Sequence, residues 1–148
     1  MIVHFGHIDH EYLSVEFLGR SNPTTTDFWD ANWLNVQVLL AVGRFNGEFK
    51  GSLKNQLRTT DLAAFRMELS ALYQSLSGNA TLKTVEDWLQ LTLTGDGKGH
   101  LLMNGRVLDG PGIGNTLTLQ LELDQTFLPE IIRSLDAVLV AYPIIGKP

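Results

Sequence analysis

Apolar and polar positions alternate along most of this chain, and the rhythm lengthens only twice. In Tyr12–Leu18, Leu13, Val15 and Phe17 share one face while Ser14 and Glu16 share the other, which predicts a strand. A polar loop from Gly19 to Thr26 follows, with Asn22-Pro23 as its turn signal. From Leu34 the alternation resumes through Val36, Val38, Leu40 and Val42. Leu39 and Ala41 make the opposite face partly apolar, which predicts a central strand covered on both sides. Gly43-Arg44 then turns the chain into a strand that places Phe45, Phe49 and Leu53 inward, with Asn46-Gly47 as a competing hairpin turn.

At Thr60-Asp61 the spacing changes to that of a helix. Leu62, Phe65, Leu69, Leu72 and Leu76 fall on one stripe. Thr60 is placed to cap the free N–H groups, Asp61 complements the dipole, and Gly78 marks the exit. Strands return after it: a short one at Ala80–Lys83, then Leu89, Leu91 and Leu93 in alternation with Gln90, Thr92 and Thr94. Gly95–Gly99 reads as a turn leading back through Leu101, Met103 and Val107. Beyond the loop Asp109–Asn115, Leu117, Leu119, Leu121 and Leu123 complete an antiparallel meander with one wet face. A second helix carries Leu128, Ile131, Ile132, Leu135, Val138 and Leu139, with Pro129 in its first turn and Pro143 at its end. The order β–β–β–α–β–β–β–β–α predicts an α+β fold, a mainly antiparallel sheet of about six to seven strands packed with two helices. No repeat or linker interrupts it, so residues 1–148 are expected to form a single domain.

Composition narrows the chemistry. A chain of 148 residues can bury a core without staples. It has no cysteine, which excludes disulfides and thiolate nucleophiles and fits a reducing compartment. The net charge of −5 disfavours direct nucleic-acid binding and is compatible with a basic partner. Met1–His7 lacks the pattern of a signal peptide, and no apolar run approaches the ~20 residues that span a bilayer. A cytoplasmic protein with no membrane contact is the expectation.

His4, His7 and His10, with Asp9 among them, form the weak metal alternative. Their spacing in an extended segment sends successive histidines to opposite faces unless the chain bends at Gly6, so a polar edge or hairpin is the plainer reading. Gly110–Asn115 and Gly95–His100 resemble phosphate-cradling loops in composition, but each leads into a strand and not a helix. There is no Gly-x-Ser-x-Gly elbow. Asp27, Asp30, Asp96 and Asp109 offer a carboxylate pair on paper, yet the same residues are ordinary turn formers, and the turn reading is favoured. No catalytic residue and no cofactor follow from this.

More weight falls on Asp27-Phe28-Trp29-Asp30-Ala31-Asn32-Trp33-Leu34, where aromatic and acidic groups crowd a loop mouth. Tryptophan buries much area, so one ring is expected as a plug over the sheet, with Asp30 and Asn32 satisfying loop backbone groups. Tryptophan is also enriched at interface hot spots, and carboxylates steer basic ligands. Trp33 turned inward and Trp29 turned outward satisfies both. Asp27, Trp29, Asp30, Asn32 and Trp33 are therefore the candidate partner-binding residues.

At Asp30-Ala31-Asn32-Trp33-Leu34 the chain resembles the WapI family of bacterial immunity proteins. The similarity continues through the strand from Phe45 to Leu53, the helix opening Thr60–Phe65, the later leucine-rich strand pair and the C-terminal helix. The His4–His10 segment and the Gly95–His100 turn lie outside that pattern. The resemblance implies a cytoplasmic protein that neutralises a cognate contact-dependent toxin by occlusion, with no catalytic centre. It also implies a toxin that attacks nucleic acid, whose basic active site an acidic inhibitor suits. Two other classes remain open on the residues alone. One is a small hydrolase or metal-dependent enzyme built from loop carboxylates and histidines. The other is a self-associating structural protein, a homodimer that buries Trp29 against a second copy.

Overall fold

The computed structural model describes residues 1–49, 56–110 and 113–148. Strands β1 (Ile2–Gly6), β2 (Tyr12–Arg20), β3 (Trp33–Val42), β4 (Phe45–Phe49) and β5 (Gln56–Arg58) form one antiparallel sheet. β3 is its spine: β2 lies along one side, while β5 pairs with Trp33–Asn35 and β4 with Val38–Val42 on the other. A short helix, α1 (Phe28–Ala31), sits on the β2–β3 connection, and α2 (Thr59–Ser75) leaves β5 directly. Strands β6 (Ser77–Lys83), β7 (Leu89–Asp96), β8 (His100–Leu108) and β9 (Thr116–Asp124) form a second antiparallel sheet in meander order. A 3₁₀ turn at Gln125–Phe127 leads into α3 (Leu128–Ala141).

The α+β class and the antiparallel pairing agree with the sequence reading. Its single sheet is in fact two, with nine strands and three α-helices among the described residues. β1 escaped the pattern because only Val3 and Phe5 carry its inward face. One continuous core joins both sheets and both long helices. Phe5, Val15 and Val38 enter it from the first sheet, Leu91, Met103 and Leu121 from the second, Phe65 from α2 and Leu135 from α3. Each such side chain stabilises the fold by roughly 1.5–3 kcal/mol when fully buried. The rings of Phe5 and Phe65 meet at 6.2 Å. Across the outer helical surface, Arg66 clamps Asp136 in a two-pronged pair at 2.7 and 2.9 Å, tying α2 to α3.

Several local expectations change. The second face of β3 is not covered: Leu39 and Ala41 are only half-buried. Phe45 is 69% exposed, paired with Val42 at the end of the β3–β4 ladder beside the Gly43-Arg44 turn. The side chain of Phe49 and all of Leu53 lie outside the described residues. Asn46 and Gly47 are ladder residues opposite Ala41 and Leu40, so the turn belongs to Gly43-Arg44. Thr60 does not cap α2, which begins one residue earlier; buried Thr59 gives its N–H to the Asn32 carbonyl at 2.9 Å. At the other end Leu76, not Gly78, adopts the left-handed turn, with φ of 58° and its N–H on the Leu72 carbonyl at 2.7 Å. The Leu76 carbonyl in turn accepts from Gly97, so the helix exit is fastened to the β7–β8 turn. Trp88 is the tryptophan that fills the core, at 1% exposure, and its indole N–H reaches the Gln56 carbonyl at 2.9 Å.

Candidate partner surface

Asp27 opens α1 in an extended backbone conformation and its carboxylate accepts the N–H groups of Trp29 and Asp30 at 3.0 and 3.3 Å. This is an N-cap, which satisfies donors that a single-turn helix leaves free. It fixes where the next ring points. Phe28 and Trp29 meet edge to face, 5.1 Å apart and 87° between planes. Trp29 is 62% exposed, and Asp27 and Asp30 flank it in solvent.

Asn32 lies beneath this turn at 2% exposure. Its amide N–H₂ donates to the Phe28 carbonyl at 2.8 Å and to the Ile145 carbonyl at 3.0 Å. Its side-chain oxygen accepts from the Ile145 N–H at 2.9 Å. Its own carbonyl receives the Thr59 N–H described above. One residue thus joins α1 and the C-terminal tail through its side chain and the start of α2 through its backbone carbonyl. Arg20 reinforces the joint by donating to the Ala31 carbonyl at 2.5 Å and to the Pro143 carbonyl, with its guanidinium 5.9 Å from the Tyr142 ring. Gly146 closes the seam: a Cβ there would lie 3.3 Å from Phe28.

Trp33 is half-buried on the outer face of the sheet and not turned into the core. Strand alternation decides this, because Leu34 beside it is wholly buried. The Arg58 guanidinium lies 5.9 Å from its ring and is held by Asp61 at 2.9 and 3.3 Å. The five candidates therefore divide. Asp27, Trp29 and Asp30 share one exposed turn, Asn32 supports it from below, and Trp33 occupies the adjoining sheet face.

The other constellations separate. His4 on β1 is bonded to Ser14 at 2.6 Å, while His7 and His10 face each other in the β1–β2 turn at 4.8 Å. The bend at Gly6, with φ of 96°, unites that pair, but among the described residues no group of three His, Asp or Glu side chains is placed to hold a metal. Asp96 and Asp109 are turn residues. The Lys98 N–H, then His100, hold the Asp96 carboxyl below the usual carboxylate range; Asn115, through its side chain and then its N–H, does the same for Asp109. Sequence reasoning missed Arg20 and the Pro143–Ile145 tail, which lies 113 positions from Asn32 and carries no local signal of the contact.

No helix among the described residues is long and apolar enough to cross a membrane. Among curated proteins, none matches the chain. A family model described as the immunity protein WapI-like family matches residues 4–143, from β1 past the end of α3. That span includes the Asp30–Leu34 motif, both sheets and the joint that Asn32 makes with α2. The chain belongs to the WapI-like immunity protein family.

Proposed function

We propose that this immunity protein acts in the cytoplasm by binding a cognate protein toxin and covering its active site, without catalysis of its own. The observation that carries the reading is the exposure of Trp29 on a turn held at both ends by hydrogen bonds. A large ring fixed in advance loses little conformational entropy on binding, which is what a hot-spot anchor needs. Asp27 and Asp30 beside it supply a negative rim that draws in a basic surface. Asn32 and Trp33 serve by position: the first fixes the turn, and the second extends the aromatic surface onto the sheet. The continuous core supports treating residues 1–148 as one domain, so that the surface moves as one rigid patch.

The test is a capture experiment with the tagged chain in lysate of its native host, run in parallel with Trp29→Ala. The expected result is a stoichiometric toxin fragment whose purified activity is blocked by one equivalent of the wild-type chain. Trp29→Ala should weaken that binding about tenfold or more, the loss typical of a hot-spot tryptophan. Equal binding by the variant, or recovery of the chain alone, would overturn the assignment of this surface.

A further inference from the structure

At the opposite end of α3 from the Trp29 turn, the second sheet holds a cleft of about 610 Å³. Its size falls in the range of small-ligand sites. Leu102, 36% exposed, and Phe127 contribute apolar surface, and three carboxylates surround them: Asp96 at the end of β7, and Glu122 and Asp124 on β9. Strand register brings them together, since His100 pairs with Asp124 and Leu102 pairs with Glu122. His100 is the only basic side chain in the lining, bonded to Asp96 at 2.9 Å, and no lysine or arginine among the described residues lines it.

We propose that this cleft is a second recognition site, which takes a lysine or arginine side chain presented by the partner. The combination of surfaces selects that chemistry. Long basic side chains bury an alkyl stem on apolar surface and keep the cation at a polar rim. Phe127 adds an aromatic ring to the lining, a group that attracts cations. A bare metal ion is a poor fit, because hard cations need converging oxygens and gain nothing from leucine and phenylalanine. The negative rim persists at neutral pH. The Lys98 N–H holds Asp96 ionised, and the Thr126 hydroxyl and N–H do so for Asp124. One oxygen of Asp124 takes both Thr126 bonds, and the residue lines the cleft. Glu122 is an exposed carboxylate one strand period away on the same face.

The proposal takes its partner from the toxin-binding reading and adds a second contact to it. Phe127 of the cleft precedes α3 and the tail bonded to Asn32 follows it, and the 14 residues of α3 span roughly 21 Å at about 1.5 Å per residue. A single partner of ordinary interface size can reach both. The test uses no toxin, so the two readings fail separately. Nα-acetyl-arginine methylamide is titrated into the full chain and followed by amide chemical shifts, with Nα-acetyl-norleucine methylamide as the neutral control. Shifts should centre on Thr94–Leu102 and Glu122–Phe127, and the arginine probe should bind more tightly than the control. Glu122→Gln, at an exposed position, should keep the wild-type melting curve and weaken the arginine probe by about two- to fivefold, the range of an exposed ion pair. Equal binding of the neutral control, shifts elsewhere, or an unchanged affinity in Glu122→Gln would overturn the proposal.

Discussion

Replacing Asn32 tests whether the partner surface is assembled from distant parts of the chain or is a self-contained loop. The side chain makes three hydrogen bonds, two to Ile145 and one to Phe28, from a site 2% exposed. At roughly 1 kcal/mol net for each bond, Asn32→Ala should cost about 3 kcal/mol. The groups it leaves are a carbonyl on α1 and both backbone groups of Ile145, and any that stay dry add to the loss. For a chain of this size each kcal/mol lowers Tm by about 2–4 °C, so the expected fall is roughly 6–12 °C. Asn32→Asp is the sharper variant. It keeps the acceptor for the Ile145 N–H but places a carboxylate against two carbonyl oxygens, so its loss should equal or exceed that of alanine. Urea denaturation gives the free energy, and hydrogen exchange at the Ile145 amide reports the tail directly. A loss below about 1 kcal/mol in Asn32→Ala, with slow exchange retained at Ile145, would refute the joint.

Trp29→Ala should behave in the opposite way, changing stability by less than about 0.5 kcal/mol as surface substitutions do, while removing most partner affinity; parallel melting and binding curves separate the two. Gly95→Ala should destabilise by about 2 kcal/mol or more, because its Cβ would stand 2.3 Å from the Leu76 backbone carbonyl, where no side chain can yield. Arg66 holds the Asp136 carboxyl below its usual range, chiefly by hydrogen bonding. The pair's contribution is therefore fully present above the unfolded aspartate value of about 3.9 and is lost as pH falls through the lower folded value. Side-chain exposures of 34% and 47% limit it to about 1 kcal/mol, so Asp136→Asn should lower stability at pH 7 by no more than that and narrow its difference from wild type in acid.

Period and turn chemistry made most of the elements legible, and the exceptions share a cause. The meander from Leu89 to Leu123 could be read because each strand has one dry face, so the alternation is clean. α2 and α3 were legible from their apolar stripes, whereas their ends were not. The Leu76 turn defies the preference for glycine because a tertiary bond from Gly97 holds it. Phe45 shows the same limit: alternation gives its side of the sheet, but burial depends on what covers that side. The division into two sheets was invisible for the same reason, since pairing partners are chosen between segments far apart in sequence.

The candidate surface was legible by residue type and not by role. The Asp27–Leu34 stretch advertises a cap, an amide and three aromatic rings, and the cap and the outward Trp29 follow from local geometry. The task of Asn32 does not, because its partners lie at Phe28, Thr59 and Ile145 and the last two come from other elements. Trp33 was misjudged because ring size argued for burial while its neighbour Leu34 had already taken the inward position. The proposed recognition by occlusion sharpens this difficulty. A catalytic centre needs particular groups at particular spacings and leaves a motif. A binding surface needs only area, charge and rigidity, and here the rigidity comes from a tail more than a hundred residues away. The informative mutations in such a protein are therefore those that release the surface without touching it: if Asn32→Ala weakens toxin binding as Trp29→Ala does, the rigidity is part of the recognition.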